Sequence, residues 1–132
     1  MSHTILLIED NEQNRYLATY LLERNGYRVI SAADGPAGID AALRLLPDLV
    51  LLDIQLPGMD GYAVARALRG IEALRHTPII AVTSYAMVGD REKSLEAGCN
   101  GYIEKPINPD TFVSEIRRFD PNAVAESPWT GS

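Results

Sequence analysis

Leu49-Val50-Leu51-Leu52-Asp53 runs directly into Ile54-Gln55-Leu56-Pro57-Gly58-Met59-Asp60-Gly61. A continuous apolar run of this length, bounded by turn residues, reads as a strand buried on both faces of a parallel sheet. Asp53 ends that run, at the point where the strand leaves the core. In open α/β sheets the crevice outside the carboxyl ends of the strands is where ligands bind. A lone aspartate in that position could equally cap a turn, so the other strands have to decide its role.

Outward from this stretch the same pattern repeats. Thr4 to Ile8 is a first buried strand, and it ends on Glu9-Asp10. Tyr16, Leu17, Tyr20 and Leu21 then form an apolar stripe at helical spacing, stopped by Asn25-Gly26. Tyr27 to Ala32 is a second strand. Gly35-Pro36 opens a second helix with Ile39, Ala42, Leu43 and Leu46 inward, ended by Pro47-Asp48. Beyond Asp53, a helix from about Asp60 to Arg69 turns Val64, Ala65 and Leu68 inward. Pro78 to Thr83 is a fourth strand, ending on a hydroxyl.

Gly89 to Ala97 reads as a polar helix with Leu95 almost its only large apolar residue, so it is weakly held. Gly101 to Glu104 is a short fifth strand, followed by Lys105-Pro106. Asn108-Pro109 supplies an N-cap and a first-turn proline for a last helix carrying Phe112, Val113, Ile116 and Phe119. Five strands alternating with five helices make a doubly wound parallel sheet. The flavodoxin-like order 2-1-3-4-5 is among the few topologies right-handed crossovers allow. Residues 1–120 form the domain, and 121–132, with Trp129, read as a mobile tail.

The composition narrows the function. At 132 residues the chain is one domain, long enough for a full core without disulfide or metal staples. A net charge of −6 argues against a nucleic-acid surface. No basic amphipathic run suggests a membrane surface, no segment is long enough to span a bilayer, and the amino terminus carries no signal peptide. Cys99 is the only cysteine, which fits a small packed residue in a reducing cytoplasm.

In the order 2-1-3-4-5, strands 1, 3, 4 and 5 are neighbours. Their carboxyl ends carry Glu9-Asp10, Asp53, Thr83 and Lys105, on strands about 4.8 Å apart. Each residue has an ordinary explanation alone: a cap, a turn hydroxyl, a solvated lysine. Four at corresponding ends of neighbouring strands are hard to assign to accident. Two carboxylates about 4 Å apart repel by roughly 4 kcal/mol at an effective dielectric of 20, so three need cations. Mg²⁺ suits them because it keeps several waters and uses one or two carboxylates. A carboxylate beside Mg²⁺, a lysine and a hydroxyl is equipped to attack a phosphoryl group.

These motifs together resemble the receiver domain of a two-component response regulator, over residues 4 to 119. The resemblance rests on Ile8-Glu9-Asp10-Asn11, Leu52-Asp53-Ile54 with Pro57-Gly58-Met59-Asp60-Gly61, Val82-Thr83-Ser84, and Gly101-Tyr102-Ile103-Glu104-Lys105-Pro106. It implies that Asp53 accepts a phosphoryl group from a phosphohistidine on a histidine kinase or phosphotransfer protein. It implies Mg²⁺, with Mn²⁺ as a substitute, held by Asp10, Asp53 and the main-chain carbonyl of Gln55, with Glu9 acting through water. Thr83 and Lys105 would bind phosphoryl oxygens, and Lys105-Pro106 would be cis. Thr83 and Tyr102 would form a switch that presents the face of helix 4, strand 5 and helix 5 to a downstream protein. Two departures stand out: Glu9-Asp10 replaces the commoner pair of aspartates, and Ser84 replaces a small apolar residue.

Three other readings compete. A flavin-binding flavodoxin would need a Ser, Thr and Gly-rich loop where Glu9-Asp10-Asn11-Glu12 stands. An aspartyl-nucleophile phosphatase would want a second aspartate two residues beyond Asp10, where Glu12 stands. The third is a receiver-like binding module that signals without phosphate. Asp53, Thr83 and Lys105 together favour the phosphoacceptor, which catalyses only its own phosphorylation and slow dephosphorylation and turns over no independent substrate.

Overall fold

The structure, a computed structural model, describes residues 3–84 and 88–120. The strands are β1 (Thr4–Ile8), β2 (Arg28–Ala32), β3 (Leu49–Asp53), β4 (Ile79–Thr83) and β5 (Gly101–Glu104). The helices are α1 (Glu12–Arg24), α2 (Gly35–Leu45), α3 (Gly61–Arg69), α4 (Val88–Glu96) and α5 (Phe112–Arg117), with a 3-10 turn at Glu72–Leu74. The sheet is parallel in the order β2-β1-β3-β4-β5. This is the flavodoxin-like fold with five strands and five helices. The expectation of a mobile tail at 121–132 falls on residues outside those described.

Strand alternation divides the core into two layers, because successive side chains point to opposite faces. Leu6, Ile8, Val50, Leu52, Ile79 and Ala81 pack on one side with Val64, Ala65 and Leu68 of α3. Ile5, Leu7, Leu49, Leu51, Ile80, Val82 and Ile103 pack on the other, against Ala18 and Leu22 of α1 and Phe112 and Ile116 of α5. All five residues of β3 and of β4 are buried, which is why both read as continuous apolar runs.

Three helical expectations need correction. Tyr16 and Tyr20 are not inward: they are 73% and 46% exposed, with rings stacked at 6.4 Å, and Ala18 and Leu22 take the core. Residues 16, 17, 20, 21 and 17, 18, 21, 22 share one spacing, and the second phase wins because small Ala18 lets the helix lie close to the sheet. In α2 Ala42 and the half-buried Ile39 face the core as expected, joined by Gly38 and Ala41, while Leu43 is exposed and Leu46 is an exposed left-handed cap at φ 46°. Ile8 fills the space where a side chain at 38 would lie. Asn108 does not cap α5 directly. Its side chain accepts the Asp110 N–H and its carbonyl accepts Thr111 and Phe112, making one turn that leads into the helix at Phe112.

Candidate functional site

Local sequence rules place the acidic residues. Asn11, not Glu9 or Asp10, caps α1, its Oδ1 accepting the Asn14 N–H at 2.9 Å. Neither acid takes the N-cap position, although Glu9 Oε2 accepts the backbone N–H of Asn11 at 3.2 Å. Glu9 continues the alternation of Ile5 and Leu7, Asp53 that of Leu49 and Leu51, and Lys105 that of Ile103. All three therefore lean to the same side of the sheet, towards α1 and α5. Asp10 takes the other parity and is exposed.

The ammonium of Lys105 lies 3.1 Å from Asp53 Oδ2 and 3.2 Å from Glu9 Oε1. Asp53 and Glu9 are each 2% exposed. The Gln55 N–H donates to Asp53 Oδ1 at 2.8 Å, so both oxygens of that carboxylate have donors. Arg15, in the first turns of α1, donates to the carbonyls of Glu9 at 2.9 Å and Asp10 at 3.4 Å, pinning the acidic loop from behind. Nothing in the sequence marks Arg15, because its role depends on a backbone bend five residues earlier.

The electrostatics follow from this packing. Burial raises Asp53 above the ordinary carboxylate range, neighbouring Glu9 adds to that, and the Gln55 N–H and Lys105 oppose it. Burial alone would lower Lys105, but Asp53 and Glu9 outweigh it and raise the ammonium. Ligand atoms of Glu9, Asp10 and Asp53 all lie within 4.8 Å of one another. This all-oxygen donor set, crowded and only partly neutralised by one lysine, fits a hard divalent cation.

The other residues singled out from the sequence lie nearby. Thr83 is buried at the end of β4, beyond the Asp53–Val82 pair, and its carbonyl accepts the Lys105 N–H at 2.8 Å. By alternation Thr83 shares the face of Ile79 and Ala81. Tyr102, opposite Ala81 and half-buried, packs on that same layer with the Arg91 guanidinium 5.4 Å over its ring. The Lys105–Pro106 peptide is cis. The carboxamide of Gln55, which accepts the Ser84 N–H at 3.1 Å, had no signal in the sequence.

Known proteins agree with this geometry. Residues 5–117 match the response regulator receiver domain family, and the chain belongs to it. It is 42% identical over 119 residues to the polar-differentiation response regulator DivK of Brucella ovis, covering 90% of this chain and 97% of that protein. The receiver domain of the sensor histidine kinase PA1611 from Pseudomonas aeruginosa superposes with a TM-score of 0.83 at 39% identity, over 90% of this chain and 98% of that one. That structure holds a magnesium ion in its active-site cleft. The chemotaxis response regulator CheY4 of Vibrio cholerae gives a TM-score of 0.87 at 26% identity, over 90% and 99%. The chain is thus a receiver domain of two-component signalling. Among the described residues no helix is long and apolar enough to cross a membrane.

Proposed function

We propose that Asp53 takes the phosphoryl group of a phosphohistidine carried by a histidine kinase or histidine phosphotransfer protein. A carboxylate oxygen of Asp53 attacks phosphorus while the P–N bond breaks, and its electron pair leaves with the imidazole, which takes up a proton. The Gln55 N–H and the Lys105 ammonium hold the two oxygens of Asp53 from different directions, so the carboxylate is oriented before the donor arrives. Lys105 stays cationic throughout and, with the Thr83 hydroxyl, binds phosphoryl oxygens.

Asp10, Asp53 and the main-chain carbonyl of Gln55 would hold Mg²⁺, with Glu9 reaching it through water; Mn²⁺ shares the preference for oxygen ligands. When bound, the ion neutralises charge on the transferred oxygens. The acyl phosphate is then hydrolysed slowly, and no other substrate is turned over. The same reading assigns this work to residues 1–120, places the chain in the cytoplasm, and makes its partners proteins, not nucleic acid or membrane. A downstream target docks on α4, β5 and α5, where a recess of about 260 Å³ is lined by Arg91, Leu95, Tyr102 and Phe119.

The observation that carries this reading is the lysine ammonium set between two buried carboxylates at the ends of neighbouring strands. Incubation with acetyl phosphate and Mg²⁺, followed by intact mass measurement, should show one added phosphoryl group. An unchanged mass across donors, with Mg²⁺ present, refutes it.

A further inference from the structure

Helix α4 turns small residues inward and its only leucine outward. Ser94 is buried, as is Ala97 just beyond the helix, while Leu95 is 52% exposed. Helices in proteins are held mainly by packing an apolar face, so leaving Leu95 in water gives up part of that hold. Leu95 stands instead at the recess between α4, β5 and α5. A Cβ at Gly101 would run into the Phe119 ring, so that ring lies against bare strand backbone and forms part of the recess wall. At about 260 Å³ the recess is smaller than the roughly 300–1,000 Å³ of pockets that hold a whole small molecule. It admits a side chain.

Two exposed arginines, Arg91 and Arg118, line the same recess. Among the described residues neither forms an ion pair, whereas the exposed Arg44 and Arg75 each pair at 3.0 Å with an acid one turn back. Arg91 rests on the Tyr102 ring, 5.4 Å from its centroid. Glu115 is the one carboxylate among the described lining residues. Two arginines against one glutamate leave the recess cationic on a chain whose net charge is −6.

We propose that the downstream target enters this recess with an acidic segment: one large apolar side chain seats against Leu95 and Phe119, and flanking carboxylates pair with Arg91 and Arg118. The inference rests on the docking reading of this face. An acidic segment is repelled by the chain as a whole and attracted here, so charge selects the place of contact as well as the partner. Exposed ion pairs contribute little by themselves, and the buried apolar side chain supplies most of the affinity. Holding Arg91 on the Tyr102 ring beforehand reduces the cost of ordering it.

The test is an NMR titration of the full chain, with Mg²⁺ and beryllofluoride, using three synthetic helical peptides of equal length as probes. One has a central leucine flanked by glutamates, one the same leucine flanked by lysines, and one the glutamates with alanine for leucine. The acidic leucine peptide should shift the amides of Leu95, Gly101, Tyr102 and Phe119 saturably. It should bind about tenfold tighter than the alanine peptide, the worth of one buried leucine, and about fivefold tighter than the lysine peptide at low salt. Arg91→Gln combined with Arg118→Gln should remove that fivefold preference. A lysine or alanine peptide that binds this face as tightly, or a preference unchanged by the two substitutions, overturns the inference alone. If all three peptides leave this face unshifted, the docking reading falls with it.

Discussion

Arg69 and Lys105 sit at opposite ends of the sheet and solve the same problem differently. Arg69, the last residue of α3, donates at the amino ends of β4 and β5 to the carbonyls of Leu74, Arg75, Thr77 and Gly98 and to the side-chain oxygen of Asn100. Those acceptors are all neutral. Burial therefore lowers Arg69 from its ordinary range, with no carboxylate to restore it. Lys105, at the carboxyl ends, faces two carboxylates and is raised. The Arg69 cluster is a fixed clamp whose energy does not depend on any added ion. The Lys105 cluster has more negative charge than its one cation cancels, so metal or phosphoryl chemistry can redistribute it. One end holds the fold and the other is free to change state.

The largest effect comes from removing the centre of the responsive end. Asp53→Asn should abolish phosphoryl addition from acetyl phosphate and Mg²⁺ while the protein stays folded, because an amide is a poor nucleophile for this transfer. Intact mass and circular dichroism check the two halves together. Labelling of Asp53→Asn at the wild-type level would move the acceptor elsewhere.

Next in size is a contrast between the two cations. Arg69→Ala leaves five acceptors without their donor and should cost about 3 kcal/mol of unfolding free energy, while the surviving folded protein is still phosphorylated. Lys105→Ala strands two buried carboxylates, and Mg²⁺ should recover part of the loss by supplying the missing positive charge. Urea melts with and without Mg²⁺ separate the cases. If Mg²⁺ rescues Arg69→Ala as well as it rescues Lys105→Ala, the two ends are not distinct.

These two ends differ equally in how far they could be read from sequence. Glu9, Asp10, Asp53, Thr83 and Lys105 were legible because each terminates an apolar run, and a parallel sheet brings corresponding strand ends together. The class of protein and the strand order followed from that. Arg69 was illegible because its partners are backbone carbonyls, which every residue has and no motif marks. Gln55 was half legible: its main chain follows from the position after Asp53, but its carboxamide accepts a backbone N–H, that of Ser84, which no motif marks. Tyr16 and Tyr20 misled in the opposite sense. Large aromatic rings set the apparent phase of α1, whereas Ala18 and Leu22 set the real one.

The third prediction concerns the one group that could give the Arg69 end a titratable partner. Cys99 is buried, and its thiol is pushed up to about 11 by desolvation, with Arg69 pulling the other way. The folded state therefore holds the proton more tightly than the unfolded chain, whose thiol ionises near the ordinary 9.0. That contribution to stability is complete below pH 9 and is lost as pH rises through about 11, roughly 3 kcal/mol in all. Cys99→Ala should flatten the decline. Tyr27, pushed up to about 12 by burial and Asp120, adds a similar slope only above its ordinary 10.0. The comparison with wild type belongs between pH 9 and 10, and equal slopes there would count against the assignment.

The smallest effect tests whether the responsive end is overloaded with negative charge, as its contrast with Arg69 requires. Asp10 is exposed, yet its carboxylate shares a 4.8 Å neighbourhood with Glu9 and Asp53, and the Lys105 ammonium is already committed to those two. In the absence of metal, Asp10 contributes repulsion and accepts no hydrogen bond that α1 needs, since Asn11 does the capping. Solvent screens an exposed charge, so Asp10→Ala should raise metal-free stability by only about 0.5 kcal/mol, and less at high salt. The same variant should bind Mg²⁺ more weakly, so its advantage should reverse as the ion is added. Urea melts across a Mg²⁺ titration would show two curves crossing. Curves that stay parallel, with Asp10→Ala neither gaining without metal nor losing with it, would mean that Asp10 is an ordinary surface acid and that Glu9, Asp53 and Lys105 alone make the site.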